Sequence, residues 1–365
     1  MIDKLTYYIR FPLIMVSMLT LLAAIWAGLL RLGWLWPTLN PMLPLNHGPL
    51  IVCGFLGTLI GVERAVALSG LSSKAWWTYI GPVITAIGAI ILLSGNLSLA
   101  GPLFMTIGSF CLVLVFVKIL QMETASYTIT MAGGALMWFI GNALWLFGWS
   151  IPTVTFWWIG FLLLTIAGER LELGRVLRLS STVINMFVAV VLLFVVGTLL
   201  TVFNYSLGVR VAGGGMVAIA LWLLRYDVAR YTIKKTGLTR YIAVCLLVGY
   251  IWLIIGGLLA LYFGGMTSGL YYDAMLHAVF VGFVFSMIFG HAPIIFPAIL
   301  RRPITFQPAF YLPLLILHLS LLLRIIGDLM ILPALRSWGG LLNGVAILMF
   351  LVNIVATIVW SSIKK

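Results

Sequence analysis

Residues 271–293 read YYDAMLHAVFVGFVFSMIFGHAP, an apolar stretch that carries two of the four histidines in the chain. His277 and His291 are 14 residues apart. On an uninterrupted α-helix this spacing is about 40° from a whole number of turns and roughly 21 Å along the axis. We therefore expect both imidazoles to face nearly the same way at two depths. Ionisable side chains at such depths in a bilayer are costly and usually functional.

The composition around this stretch predicts an integral membrane protein. Of the 365 residues, 63% are hydrophobic and 8% are charged, whereas soluble domains carry about 25% charged residues. The mean hydropathy is +1.20. The net charge of +13 does not indicate a nucleic-acid partner, because the basic residues fall in alternating loops. The expected partner is the lipid bilayer of the cell membrane.

Twelve apolar runs have about the 20 residues that a helix needs to cross a bilayer. The prediction is an all-α, polytopic membrane protein with a single integral membrane domain over residues 1–365. The runs are 9–34, 47–69, 76–95, 100–120, 127–148, 153–172, 180–203, 208–226, 240–264, 273–299, 306–327 and 338–361.

Lysine and arginine predict the orientation of these spans. With the N-terminus inside, 17 of the 21 basic residues fall on the cytoplasmic side. The outer side has only Arg31, Arg210, Arg324 and Arg336. Both termini are therefore expected in the cytoplasm.

The second, sixth and tenth spans share an ungapped pattern of Gly-Phe followed five residues later by Ile. Its copies are Gly54-Phe55…Ile60, Gly160-Phe161…Ile166 and Gly282-Phe283…Ile288, at offsets of 106 and 122 residues. The pattern predicts three groups of four helices, 1–125, 126–235 and 236–365. The three spans that carry it are expected to line the interior.

The first candidate site is formed by His47, which opens the second span, and His277, near the start of the tenth. Both lie at the outer ends of their spans, and two neutral imidazoles can bind a haem iron axially. Copper or zinc would need further ligands, for which Asp273 is a candidate, either as ligand or as a partner of the imidazole. Room for a flat macrocycle would be left by the small residues on one side of the second span, Gly48, Gly54 and Gly57. Two unrelated, hydrogen-bonded histidines remain the structural alternative.

A second candidate metal site combines His291 with His318, which the antiparallel tenth and eleventh spans place at comparable depth. It could hold copper or a second haem, although a lone histidine in a membrane helix often only hydrogen-bonds a carbonyl. The repeat also aligns Glu63, Glu169 and His291, which could form a metal or proton site. Ion pairing across helices near the inner interface, by Glu63-Arg64 and Glu169-Arg170, is the favoured interpretation of that group.

The histidine-led, Gly-Phe-rich segments His47–Arg64 and His277–His291 resemble the NnrS family, twelve-helix haem and copper proteins linked to nitric oxide metabolism. The topology is also distantly similar to subunit I of the haem–copper oxidases. This resemblance implies haem b and a redox or nitric oxide function. The chain departs from the oxidases because its sixth and seventh spans contain no histidine, so their binuclear centre cannot be built in the usual way.

The sequence thus predicts a membrane haem-binding protein for electron transport or small-gas chemistry, with a redox partner or quinol and no assigned catalytic residue. It could be a haem-dependent oxidoreductase. The alternatives are a proton- or cation-coupled transporter and a haem or copper delivery factor for a respiratory oxidase.

Overall fold

The computed structural model describes residues 2–38, 40–71, 73–96, 98–300, 302 and 304–363, and no strand occurs within them. Three of the basic residues that predict the orientation, Arg301, Lys364 and Lys365, lie outside these ranges.

Twelve helices of the described chain are long and apolar enough to cross a membrane, as predicted. They are α1 (Tyr8–Arg31), α2 (His47–Leu71), α3 (Lys74–Leu93), α4 (Ala100–Met122), α5 (Ser126–Leu146), α6 (Ile151–Leu177), α7 (Ser181–Leu200), α8 (Tyr205–Tyr226), α9 (Gly237–Phe263), α10 (Leu270–Leu300), α11 (Pro308–Leu329) and α12 (Pro333–Ile358). The predicted boundaries agree with these to within five residues. The protein is therefore a polytopic, all-helical membrane protein.

Three of the twelve helices are much more buried than the others. In the most apolar stretch of each helix, the buried share is 89% in α6, 72% in α10 and 67% in α2, and it ranges from 28% to 56% elsewhere. These three helices carry the Gly-Phe repeat and were expected to line the interior. The less buried helices have the apolar outer surface that lipid requires.

Local signals explain where the helices begin and end. Just beyond α5, Gly148 has a φ of +85°, a conformation that glycine adopts without strain. The Trp149 N–H then donates to the Leu144 carbonyl at 3.0 Å, which closes the helix in a Schellman motif. Helix α8 follows Asn204, whose side chain accepts a hydrogen bond from the Leu207 N–H at 3.1 Å and so caps the first turn.

The chain forms two compact units. Their residues are Met1–Thr128 with Ala132–Phe161 in the first, and Ile129–Met131 with Leu162–Lys365 in the second. The predicted four-helix group 1–125 lies within the first unit and the group 236–365 within the second, whereas 126–235 is divided between them. His47 belongs to the first unit, and the other three histidines belong to the second.

Candidate functional site

His47 is the first residue of α2 and is held by α1. Its Nδ1 lies 2.7 Å from the Ala24 carbonyl oxygen. Since a carbonyl can only accept, Nδ1 carries the proton, and the neutral ring keeps its lone pair on Nε2. The ring lies against Gly28, where an added Cβ would come within 2.9 Å of Cε1. Helix α1 therefore fixes both the tautomer and the position of this imidazole.

His277 lies near the start of α10 and has the same tautomer. Its Nδ1 is 2.8 Å from the Asp273 carbonyl oxygen one turn earlier and 3.4 Å from Oδ1 of the same residue. The two side chains are only 16% and 18% exposed. Asp273 contacts Nδ1, whereas a metal ion would bind at Nε2 on the other side of the ring. Its place is therefore that of a hydrogen-bond partner of the imidazole and not that of a further metal ligand.

A π-helical segment follows each of these histidines. Leu50–Gly57 in α2 and Ala278–Phe285 in α10 are each eight residues long. The first residues of the two segments are 228 positions apart in the sequence, and so are their last residues. The Gly-Phe copies of α2 and α10 are separated by the same 228 positions. The corresponding part of α6 is α-helical. Turns of π-helix are rare in proteins overall, but those that occur are often at functional sites. The two segments therefore single out α2 and α10.

The second π-helical segment changes the helix geometry on which the expected orientation of His277 and His291 was based. The offset of about 40° assumed an uninterrupted α-helix. Ala278–Phe285 lies between the two histidines, and its i→i+5 hydrogen bonds give more residues per turn than an α-helix has. The prediction that both rings face nearly the same way was therefore derived from the wrong helix geometry.

The glycines of α2 also differ from expectation. We expected Gly48, Gly54 and Gly57 to leave space beside the helix. Only Gly48 faces open space, with nothing within 4 Å of an added Cβ. Gly54 packs against Thr20 and Gly57 against Trp138. The latter two positions are small because neighbouring side chains fill them, so they leave no room for a macrocycle.

His291 lies in α10 six residues beyond the π-helical segment. Its Nδ1 is 2.7 Å from the Met287 carbonyl oxygen, which again fixes the proton on Nδ1. Its Nε2 is buried and has no hydrogen-bond partner. Buried polar atoms without a partner are rare in proteins. The lone pair of this nitrogen can accept a bond from water or bind a metal ion.

His318 in α11 has hydrogen-bond partners at both ring nitrogens. The Trp252 indole N–H donates to Nδ1 at 3.0 Å, and the two rings stack. The proton is therefore on Nε2, which lies 3.5 Å from the Ser286 hydroxyl oxygen. Ser286 in turn donates to the Cys245 carbonyl at 2.7 Å. His318 thus links α9, α10 and α11, and it would have to give up a hydrogen bond to bind metal.

The glutamate-arginine pairs of the repeat have different partners in the two units. Glu63 lies 3.6 Å from Arg64 in the first unit. In the second unit, Arg170 pairs with Asp227 through two hydrogen bonds of 2.7 Å, and the arginine is 4% exposed. Arg170 is therefore part of an ion pair, with a partner that the sequence did not indicate, and the pairing expected for Glu169 stays a prediction.

Asp227 lies just beyond the end of α8 and was missed. Besides Arg170, it accepts hydrogen bonds from the Tyr250 hydroxyl at 2.6 Å and the Ala229 N–H at 2.7 Å. Its position directly after a span, beside basic loop residues, was the available signal. The result is a fully buried cluster of arginine, aspartate and tyrosine in the second unit.

No group of three or more His, Cys, Asp or Glu side chains able to hold a metal ion occurs in the described part of the chain. A haem needs only two axial imidazoles, so this finding does not bear on His47 and His277. Metal binding by His291, His318, Glu63 and Glu169 stays a prediction.

Comparison with known proteins identifies a family without assigning a function. No curated protein matches the chain. A family model described as a domain of unknown function, DUF8744, matches residues 10–359. This match covers nearly the whole chain, from within α1 to the end of α12. The chain therefore belongs to the DUF8744 family.

Proposed function

We propose that this chain is an integral haem-binding protein of the cytoplasmic membrane that takes part in redox or small-gas chemistry. His47 and His277 would each supply an axial ligand for haem b. The observation that carries the proposal is their shared tautomer, in which Nδ1–H donates to a backbone carbonyl. This arrangement leaves the lone pair on Nε2 and is typical of metal-ligating histidines.

When bound, a haem supplies one-electron transfer, or a binding position for a gas such as nitric oxide where an axial site is open. Two histidine ligands fill both axial positions and so favour electron transfer. Gas binding would then use a second centre, a haem or copper. His291 supports such a centre because its buried Nε2 has no partner. His318 supports it less, since both of its nitrogens have partners.

We further propose that both termini lie in the cytoplasm, because basic residues are concentrated in the loops on that side. His47 and His277 would then be near the outer leaflet and His291 nearer the inner one. Centres at two depths would carry electrons between a redox partner or quinol and the outer site. This arrangement makes oxidoreductase activity the function to test.

The first test is the optical spectrum of the purified chain, combined with haem extraction and metal analysis. We expect a Soret band with sharp low-spin α and β bands, which His47→Ala and His277→Ala each abolish. His318→Ala is the matched control, and its spectrum should keep those bands. Wild-type protein without a Soret band, or low-spin bands that survive both His47→Ala and His277→Ala, would overturn the proposal.

A proton- or cation-coupled transporter is the alternative favoured by the buried Arg170–Asp227–Tyr250 cluster, because ionisable groups within membrane helices often mark ion pathways. Haem-free protein that drives uptake into proteoliposomes, with loss of uptake in Glu169→Gln, would support it. Haem or copper that binds but dissociates during detergent purification would instead support a delivery factor.

A further inference from the structure

A network of charged side chains surrounds the Nδ1 side of His277. Arg324 of α11 donates to both carboxylate oxygens of Asp273: Nε lies 3.1 Å from Oδ2, and Nη2 lies 3.2 Å from Oδ1 and 2.9 Å from Oδ2. Arg324 is only 7% exposed. Such a two-point, charge-assisted contact fixes the orientation of the carboxylate.

A second arginine and a second carboxylate extend this network. Nη2 of Arg336 in α12 is 3.9 Å from Asp273 Oδ1, and its Nε is 2.8 Å from Asp328 Oδ1. The Asp328 side chain is completely buried. The Asp328 oxygens and Arg336 Nε do not have the angles of a hydrogen bond. The contact between these two side chains is therefore an ion pair without a hydrogen bond. The network therefore contains two arginines and two carboxyl groups.

The close approach of α11 and α12 positions both arginines. A Cβ at Gly339 would come within 2.6 Å of the Arg324 backbone nitrogen, and one at Gly327 would contact the Arg336 backbone nitrogen. Hydrogen is the only side chain that these two positions accept without movement of the helices. The backbone of each arginine is thus held against a glycine of the other helix, and this places both guanidinium groups near Asp273.

We propose that Asp273 and Arg324 set the reduction potential of a haem bound at His277. This inference rests on the proposed function, because it requires that haem. Asp273 contacts both the Nδ1 side of the imidazole and the arginines, so it transmits their charge to the ligand. It acts as a positioning residue through His277 and does not bind iron itself.

The sign of each contribution follows from charge. Reduction removes one positive charge from a haem iron, so a carboxylate beside the axial imidazole favours the oxidised form and an arginine favours the reduced form. Such interactions are strong in the low-dielectric interior of a membrane protein. Arg324 offsets the charge of the Asp273 carboxylate in the native network. Removing the arginine should therefore lower the reduction potential, and removing the carboxylate should raise it.

The experiment is a spectroscopic redox titration of purified, haem-loaded protein. Arg324→Gln should lower the midpoint potential by at least about 59 mV, which for one electron is a tenfold change in the equilibrium constant of haem reduction. Asp273→Asn should raise it by a similar amount, and its backbone carbonyl can still accept from His277. The Asp273→Asn/Arg324→Gln double variant should return close to the wild-type potential.

Two controls separate charge from structure. Arg324→Lys keeps the positive charge and should shift the potential much less than Arg324→Gln. Arg210→Gln removes an arginine of the same unit that donates to the Leu261 carbonyl, and it should leave the potential unchanged.

The outcomes distinguish this inference from the function on which it rests. Wild-type protein without haem overturns the proposed function and the inference together. Haem-loaded protein whose two single variants shift in the same direction, or no more than Arg210→Gln, overturns the inference alone. Loss of the low-spin bands in both Asp273→Asn and Arg324→Lys would show a purely structural role and would overturn it as well.

Discussion

At the starts of α2 and α10 a backbone carbonyl sets the same histidine tautomer, but the surroundings of the two rings differ. His47 is held by neutral contacts, namely the Ala24 carbonyl and the surface of Gly28. His277 is held beside Asp273, whose charge is offset by Arg324. The contact with Gly28 is thus the feature to alter at the first histidine, and the charge of Asp273 and Arg324 is the feature to alter at the second. Added volume should damage the first arrangement, and a removed charge the second.

Asp227→Ala in the second unit should have the largest effect on stability. It leaves the Arg170 guanidinium buried without its partner, which typically costs about 3–5 kcal/mol. Thermal denaturation in detergent would measure the loss. Glu172→Ala is the control, because its 3.5 Å contact with Arg175 is exposed and such pairs contribute about 0–1 kcal/mol. Equal losses in both variants would contradict the dependence on buried charge.

Gly28→Ala in the first unit should have the next largest effect. Its Cβ would lie 2.9 Å from His47 Cε1, and overpacking of this kind costs about 1–3 kcal/mol. The displaced imidazole should also weaken the low-spin haem bands. The matched variant Gly70→Ala adds the same methyl group to open space at the far end of α2 and should do neither. Similar behaviour of the two variants would show that packing does not position His47.

Trp252→Phe should have the smallest effect of the three. It keeps a ring beside His318 but removes the donor to Nδ1, and one such hydrogen bond contributes about 0.5–1.5 kcal/mol. Thermal denaturation would register a modest loss. Trp338→Phe is the control, since Trp338 is 57% exposed. The low-spin bands should be unchanged in both variants, and their loss in Trp252→Phe would indicate that His318 contributes to the proposed haem site.

All twelve helices could be predicted from the sequence, because each must present about 20 apolar residues to lipid whatever its neighbours are. The buried positions of α2, α6 and α10 followed from the Gly-Phe repeat. Ion pairing of Arg170 could be expected, since an unpaired charge is too costly within a membrane helix.

Other features depend on contacts that hydropathy does not encode. Asp227 meets Arg170 across 57 residues of sequence, and Trp252 meets His318 across 66. The π-helical segments are built from Leu, Ile, Val, Ala, Cys, Gly and Phe, apolar or small residues that also occur in membrane α-helices. The expected room at Gly54 and Gly57 was wrong because a glycine marks a close contact as readily as a space.

The two π-helical segments also have a consequence for local opening. Their rarity shows that π-helical turns are less favourable than α-helical ones, so the backbone of α2 and α10 should open more readily there than along the rest of each helix. Amide hydrogens of Leu50–Gly57 and Ala278–Phe285 should then exchange sooner than those of equally buried α6. Each helix would then open beside its histidine while its remaining turns stay folded.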